Sequence, residues 1–93
     1  MDHHIVSLHQ VKIYECVVQH DGWITNKAIT EDTGMPARTV RHHTRLLTHL
    51  GIFAQEAFFP NYIYRLSAQA AATNPAYLTR LEHAREIFGE GAA

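Results

Sequence analysis

Residues 25–53, TNKAITEDTGMPARTVRHHTRLLTHLGIF, decide how this chain is read. Thr25 has the hydroxyl of a helix N-cap, and the segment from Asn26 to Thr33 that follows it runs without a breaker until Gly34. Met35-Pro36 makes a turn. Proline is tolerated at the start of a helix because the first helical positions need no N–H partner, so a second helix is expected from about Ala37 to Leu50, stopping at Gly51. The stretch predicts two helices joined by a tight turn.

The second helix has two unlike sides. With Val40 set at zero and about 100° per residue, Arg41, Arg45, Arg38, His49 and His42 fall in one arc of about 100°. Val40, Leu47, Leu50 and Leu46 fall in the opposing arc. One side packs and the other is cationic, and no acidic residue occurs between Thr33 and Gln55. Exposed helices usually mix signs. An unmixed arginine face suits the major groove of duplex DNA, where guanidinium meets phosphate as a charge or a guanine edge as a two-pronged donor. Arg38 and Arg41 lie in the first two turns, the part of such a helix that reaches base edges. Arg45, His42 and His49 are placed for bases or backbone, and the Thr39 hydroxyl for a phosphate.

Outward from this stretch, residues 1–6 read as a loose leader. From Ser7 to His20 the apolar positions Leu8, Val11, Ile13, Tyr14, Val17 and Val18 recur at helical spacing, with Ser7 as cap and Asp21-Gly22 as the stop. Trp23-Ile24-Thr25 has room only for a single short strand or an extended link. Beyond Gly51 the period changes: IFAQEAFF and YIYRL are aromatic and β-branched runs, and Pro60-Asn61 between them has the residue types of a tight turn, so a β-hairpin is expected. Ser67 starts a short Ala-rich turn. Asn74-Pro75 caps a last helix running to about Phe88, with GEGAA fraying after it. The fold class is mainly α with a small β-hairpin.

The chain of 93 residues is one small domain, and at 46% hydrophobic and 18% charged it has the balance of a folded globule. Its formal net charge is −1, so attraction to phosphate rests on uneven placement of charge. Cys16 is the one cysteine, which rules out an internal disulfide and fits a cytoplasmic location. No run of about 18 apolar residues suggests a membrane span, and MDHHIVSLHQ lacks the pattern of a signal peptide.

The two-helix segment resembles the helix-turn-helix of winged-helix transcriptional regulators of the MarR and ArsR type. In those families a Gly ends the first helix, a Thr-Val or Ser-Val pair follows the turn, and Leu and Gly recur further on. Gly34, Thr39-Val40, Leu47 and Gly51-Ile52 stand at those places, and Tyr64-Arg65-Leu66-Ser67 is similar to the pattern that closes the wing. The resemblance covers roughly residues 8–67. It implies a winged helix-turn-helix domain over residues 7–67 and a C-terminal helical segment over 68–93 that joins two copies. Two departures stand out: Thr30 occupies a place usually held by a small Ala, and the wing tip FFPNY carries no Lys or Arg.

The last helix has a wide apolar stripe. Tyr77, Leu81, Ala84 and Phe88 recur at spacings of four, three and four, with Leu78 and Ile87 beside them. Such a stripe folds onto its own domain or pairs with a second copy. Since helix-turn-helix proteins commonly read two half-sites through a two-fold axis, a homodimer through Tyr77, Leu78, Leu81, Ala84 and Phe88 is expected.

The histidines add little by number alone. Cys16 and His20 are one helical turn apart and His9 lies further back, but two ligands on one helix do not make a metal site. His42 and His43 are neighbours and are expected on different faces, with His43 as a hydrogen-bonded core residue. Phosphate near His42 and His49 would favour their charged forms and strengthen binding toward pH 6. Cys16 reads as a small buried hydrophobe. There is no Gly-rich phosphate loop, paired carboxylate spacing or nucleophile elbow, so no enzyme and no cofactor are expected. The expected function is a sequence-specific, double-stranded DNA-binding transcriptional regulator acting as a homodimer. The alternative is a winged-helix module that binds protein, suggested by the near-neutral charge, the uncharged aromatic wing and the apolar last helix.

Overall fold

A computed structural model describes residues 6–91, with side chains described as far as residue 88. The elements follow in the order α1 (Leu8–Gln19), β1 (Ile24–Thr25), α2 (Asn26–Thr33), α3 (Ala37–His49), β2 (Phe53–Phe58), β3 (Asn61–Leu66), α4 (Ala70–Thr73) and α5 (Pro75–Gly91). The leader expected at residues 1–6 lies outside the described residues except for Val6, which packs against the core.

Short polar side chains mark the helix starts. Ser7 caps α1 by accepting from the Gln10 N–H at 3.1 Å, and Thr25 caps α2 by accepting from the Ala28 N–H at 3.1 Å. Asn74 Oδ1 accepts from the Tyr77 N–H at 3.4 Å at the head of α5. Gly34 closes α2 with φ 74°, a left-handed conformation that glycine adopts without penalty, and its N–H bonds to the Thr30 carbonyl at 2.9 Å. That cap turns the chain sharply into α3.

Three strands form one antiparallel sheet in the order β1-β3-β2. The hairpin pairs Phe53 with Leu66 through to Phe58 with Asn61, so its two-residue turn is Phe59-Pro60 with a cis bond, one position earlier than the expected Pro60-Asn61. Ile24 and Thr25 pair with Tyr64 and Ile63, making the short link before α2 a third strand. The hairpin is thereby tied back to the helix-turn-helix.

One hydrophobic core joins all the layers. Ile13, Tyr14 and Val17 of α1, Ile29 of α2, Val40 and Leu47 of α3, Ile52 and Phe53 at the hairpin base and Tyr77 and Leu81 of α5 belong to the same cluster. The last helix is locked onto α1 by polar contacts as well: the Tyr14 hydroxyl donates to Glu82, the Tyr77 hydroxyl donates to Gln10, and Arg85 lies 3.5 Å from Glu15. No helix of the described residues is long and apolar enough to cross a membrane.

Candidate nucleic-acid interface

The orientation of α3 is set from its inner side. Val40, Thr44 and Leu47 are fully buried, at one-turn intervals, against the core. Thr44 was not legible as an anchor, yet its hydroxyl donates to Asn26 Oδ1 on α2 at 2.9 Å. At the far end, Asn74 donates to the Leu50 carbonyl at 3.1 Å, and Gly51 passes so close to α4 that an added Cβ would stand 2.5 Å from Thr73 Cγ2. With the inner side and the C-terminal end pinned, the outer face has one direction.

That outer face carries the expected residues. Arg38, Arg41, His42, Arg45 and His49 are all exposed, and Thr39 is half-buried at the margin. Among the described residues none of the three arginines is in an ion pair, in contrast to Arg85 on α5, which lies 3.5 Å from Glu15 and from Glu82. Guanidinium groups without carboxylate partners keep their charge available for an anion.

The structure adds a second wall. A groove of about 500 Å³ runs between the arginine face and the wing, lined by Thr25, Asn26 and Lys27 at the head of α2, Arg41 and Arg45 on α3, and Gln55, Pro60, Asn61, Tyr62 and Tyr64 on the hairpin. Its lining holds three cations and no carboxylate. The α2 N-terminus faces it, so the positive end of that helix dipole adds to the field. Lys27 was absent from the sequence reading, and Tyr62 was read there only as able to pack on the core, on a partner chain or on a sugar-phosphate surface. Lys27 was detectable as a cation beside a helix start, whereas the hairpin's contribution depends on where β1 holds it. Arg38, in the first turn of α3, lies outside this groove.

Two expectations about the flanks need correction. His43 is half-buried, but its Nδ1 is buried with no hydrogen-bond partner, so it is not a hydrogen-bonded core residue. Burial pushes its pKa down, helped by the nearby positive charges that His42 and His9 can carry. His42 is exposed where His43 is half-buried, as expected of different faces, and their rings still meet edge to face at 5.0 Å. Cys16 is half-buried and packs on the core; burial, with a hydrogen bond to Asp32 and that residue's charge, pushes its thiol up to about 12.

The residues expected to pair two copies divide. Tyr77 and Leu81 lie inside the protomer's own core, Leu78 is half-buried against it and Ala84 is half-buried, while Phe88 is exposed together with Ile87. Tyr77 and Leu81 are therefore not free to pair with a second copy. Helix α5 buries one side on the protomer's own core and leaves the apolar Ile87 and Phe88 exposed.

A helix-turn-helix followed by a two-stranded wing and flanked by packed terminal helices defines the winged-helix fold, to which this chain belongs. Among solved structures it is similar to Lactococcus lactis ZitR, determined as a point mutant, with a TM-score of 0.60 at 14% identity over 97% of this chain. The chain spans 62% of the length of that structure. No family model matches the sequence, and no curated protein matches it. Likeness at this identity speaks for the fold alone.

Proposed function

We propose that this protein is a transcriptional regulator that binds double-stranded DNA sequence-specifically, with α3 in the major groove. The observation that carries the reading is the exposed arginine face of α3, free of carboxylate partners in the described residues and held rigidly outward by Val40, Thr44 and Leu47. Rigid presentation matters because base readout requires a side chain to arrive at one edge in one register. Arg38 and Arg41 are assigned to base edges. Arg45 and Lys27, which line the same groove, are assigned to a phosphate track, and His42, His49 and Thr39 to contacts beside it.

The protein acts as a homodimer in this reading. Ile87 and Phe88 leave an apolar patch at the described end of α5 for a second copy, and a dimer that reads successive major grooves needs its two α3 helices about 34 Å apart. Ala84, one turn back, is the expected residue nearest that patch, while Tyr77, Leu78 and Leu81 pack toward the protomer's own core. The exposed aromatic wing is the feature that favours protein binding instead, and it is weaker support because the wing borders a cationic groove.

Selection of bound sites from random duplex DNA tests the proposal. A recovered consensus is expected, with binding that weakens linearly in log salt and a slope reduced by about 1 in Arg45→Ala. Arg38→Ala or Arg41→Ala should relax preference at single positions. Recovery of no consensus, together with no retention on duplex DNA at low salt, would leave the protein-binding reading in its place.

A further inference from the structure

The wing tip is the most exposed apolar feature of the described chain. Phe59 is 96% exposed and Phe58 63%, and Tyr62 next to them is 49% exposed. Three aromatic side chains at the end of a hairpin, without a covering element in the described residues, are costly in water and point to a partner. Two observations identify it. Tyr62 and Pro60 line the same groove as Lys27, Arg41 and Arg45, so whatever occupies the cationic wall also meets the base of the wing tip. The groove contains no carboxylate, and Glu56 pairs with Ile63, on the alternate side of the hairpin from Gln55 and Tyr62; Phe58 shares the Glu56 side, and Phe59 stands at the turn between the two faces. A polyanion with flat apolar surfaces between its charges fits both walls at once.

We propose that the wing tip is an apolar wedge: Phe59, at the turn, enters the duplex beside the groove read by α3, with Phe58 behind it on the far side of the hairpin, unstacks one base step and bends the DNA, while Tyr62 lies along the sugar-phosphate wall. This rests on the DNA-binding reading above and adds to it a mechanism for sequence preference. Phenylalanine is among the side chains that part base steps, and the energy of opening a step depends on its sequence, lowest at flexible pyrimidine–purine steps. The wing therefore contributes selectivity without a hydrogen bond to any base. A wing with no Lys or Arg at its tip is suited to this, because a charged tip would hold at the phosphates rather than enter the stack.

The test uses the full chain and the tightest duplex from the selection experiment, with 2-aminopurine replacing adenine at successive positions and a fluorophore pair at the two ends. Binding is expected to raise 2-aminopurine fluorescence at one step beside the α3 site and to shorten the end-to-end distance. The double variant Phe58→Ala, Phe59→Ala removes no core contact and should stay folded by circular dichroism. It should bind about tenfold more weakly, lose both optical signals and keep the salt dependence of the parent. Arg45→Ala should show the opposite pattern, a reduced salt slope with the fluorescence rise retained at saturation. Tight binding without the rise, or a double variant that binds and bends like the parent, overturns the wedge and leaves the DNA-binding reading standing. A mass that falls from dimer to monomer in the double variant assigns the tip to a second copy and also overturns it. Absence of DNA binding in the parent removes both proposals together.

Discussion

The Thr44 hydroxyl on α3 donates to Asn26 Oδ1 on α2 at 2.9 Å, with Thr44 fully buried between the two helices. This bond sits at the crossing of the helix-turn-helix and sets how far α3 can roll about its own axis. Asn26 also lines the cationic groove, so the same bond ties the groove floor to the arginine face above it. Thr44→Val keeps the shape and removes the donor, leaving the Asn26 oxygen without its partner. The expected cost is about 1–2 kcal/mol, seen as a Tm lowered by several degrees in thermal unfolding. An unchanged Tm would mean that water replaces the bond and that α3 is held by Val40 and Leu47 alone.

The two ends of the apolar stripe on α5 predict different outcomes. Leu81 is fully buried, so Leu81→Ala should cost about 2–5 kcal/mol and shift the urea midpoint sharply. A charged residue at Leu81 would report on folding and not on assembly. Phe88 is exposed, so Phe88→Ser should leave the midpoint of the isolated protomer nearly unchanged. In sedimentation the parent is expected as a dimer at micromolar concentration and Phe88→Ser as a monomer. A monomeric parent would discard the α5 patch as an interface.

How much was legible in the sequence depended on whether a feature was local. The caps at Ser7, Thr25, Gly34 and Asn74 depend on residues three or four positions apart and were readable one by one. The arginine face of α3 was readable because helical periodicity carries it. The pairing of Ile24 with Tyr64 was not, since two residues have no period and the partner is distant in the chain. Thr44 was missed for a related reason: its polar side chain gives no sign of burial until Asn26 supplies an acceptor. The stripe on α5 misled in part, because periodicity reveals an apolar face without saying whether α1 or another molecule covers it. The groove with Lys27 and Tyr62 exists only once the third strand has fixed the wing, and no sequence window contains both of its walls.

Cys16 should be slow to react in the folded state. Its thiol is pushed up to about 12 by burial, a hydrogen bond to Asp32 and that residue's charge, so almost none of it is thiolate near neutral pH. Iodoacetamide at pH 8 should label it far more slowly than a free thiol of ordinary pKa, and unfolding in urea should restore the ordinary rate. Asp32→Asn removes the neighbouring charge and is expected to speed labelling of the folded protein. Rapid labelling of the native parent would show that the thiol is more open than its packing on the core implies.

His43 makes stability fall on the acid side of neutrality. Its ordinary pKa is 6.5, and in the folded protein burial first, then His42 and His9, hold it lower. The unfolded chain therefore takes up a proton at a pH where the folded one does not, and the slope of stability with pH is positive in that window. The stabilisation is complete above about pH 6.5 and is lost as the pH falls from there through the folded-state value. Burial of Nδ1 without a partner reinforces the trend, since no acceptor receives the imidazolium proton at that nitrogen. Thermal unfolding between pH 8 and pH 5 should show Tm falling below about pH 6.5, with a smaller fall in His43→Leu, which fills the site without titrating. Equal acid slopes in parent and variant would trace the effect to other histidines and remove His43 from the account. The effect belongs to the fold and not to the outer face: His43 is half-buried at the inner margin of α3, away from the exposed arginines.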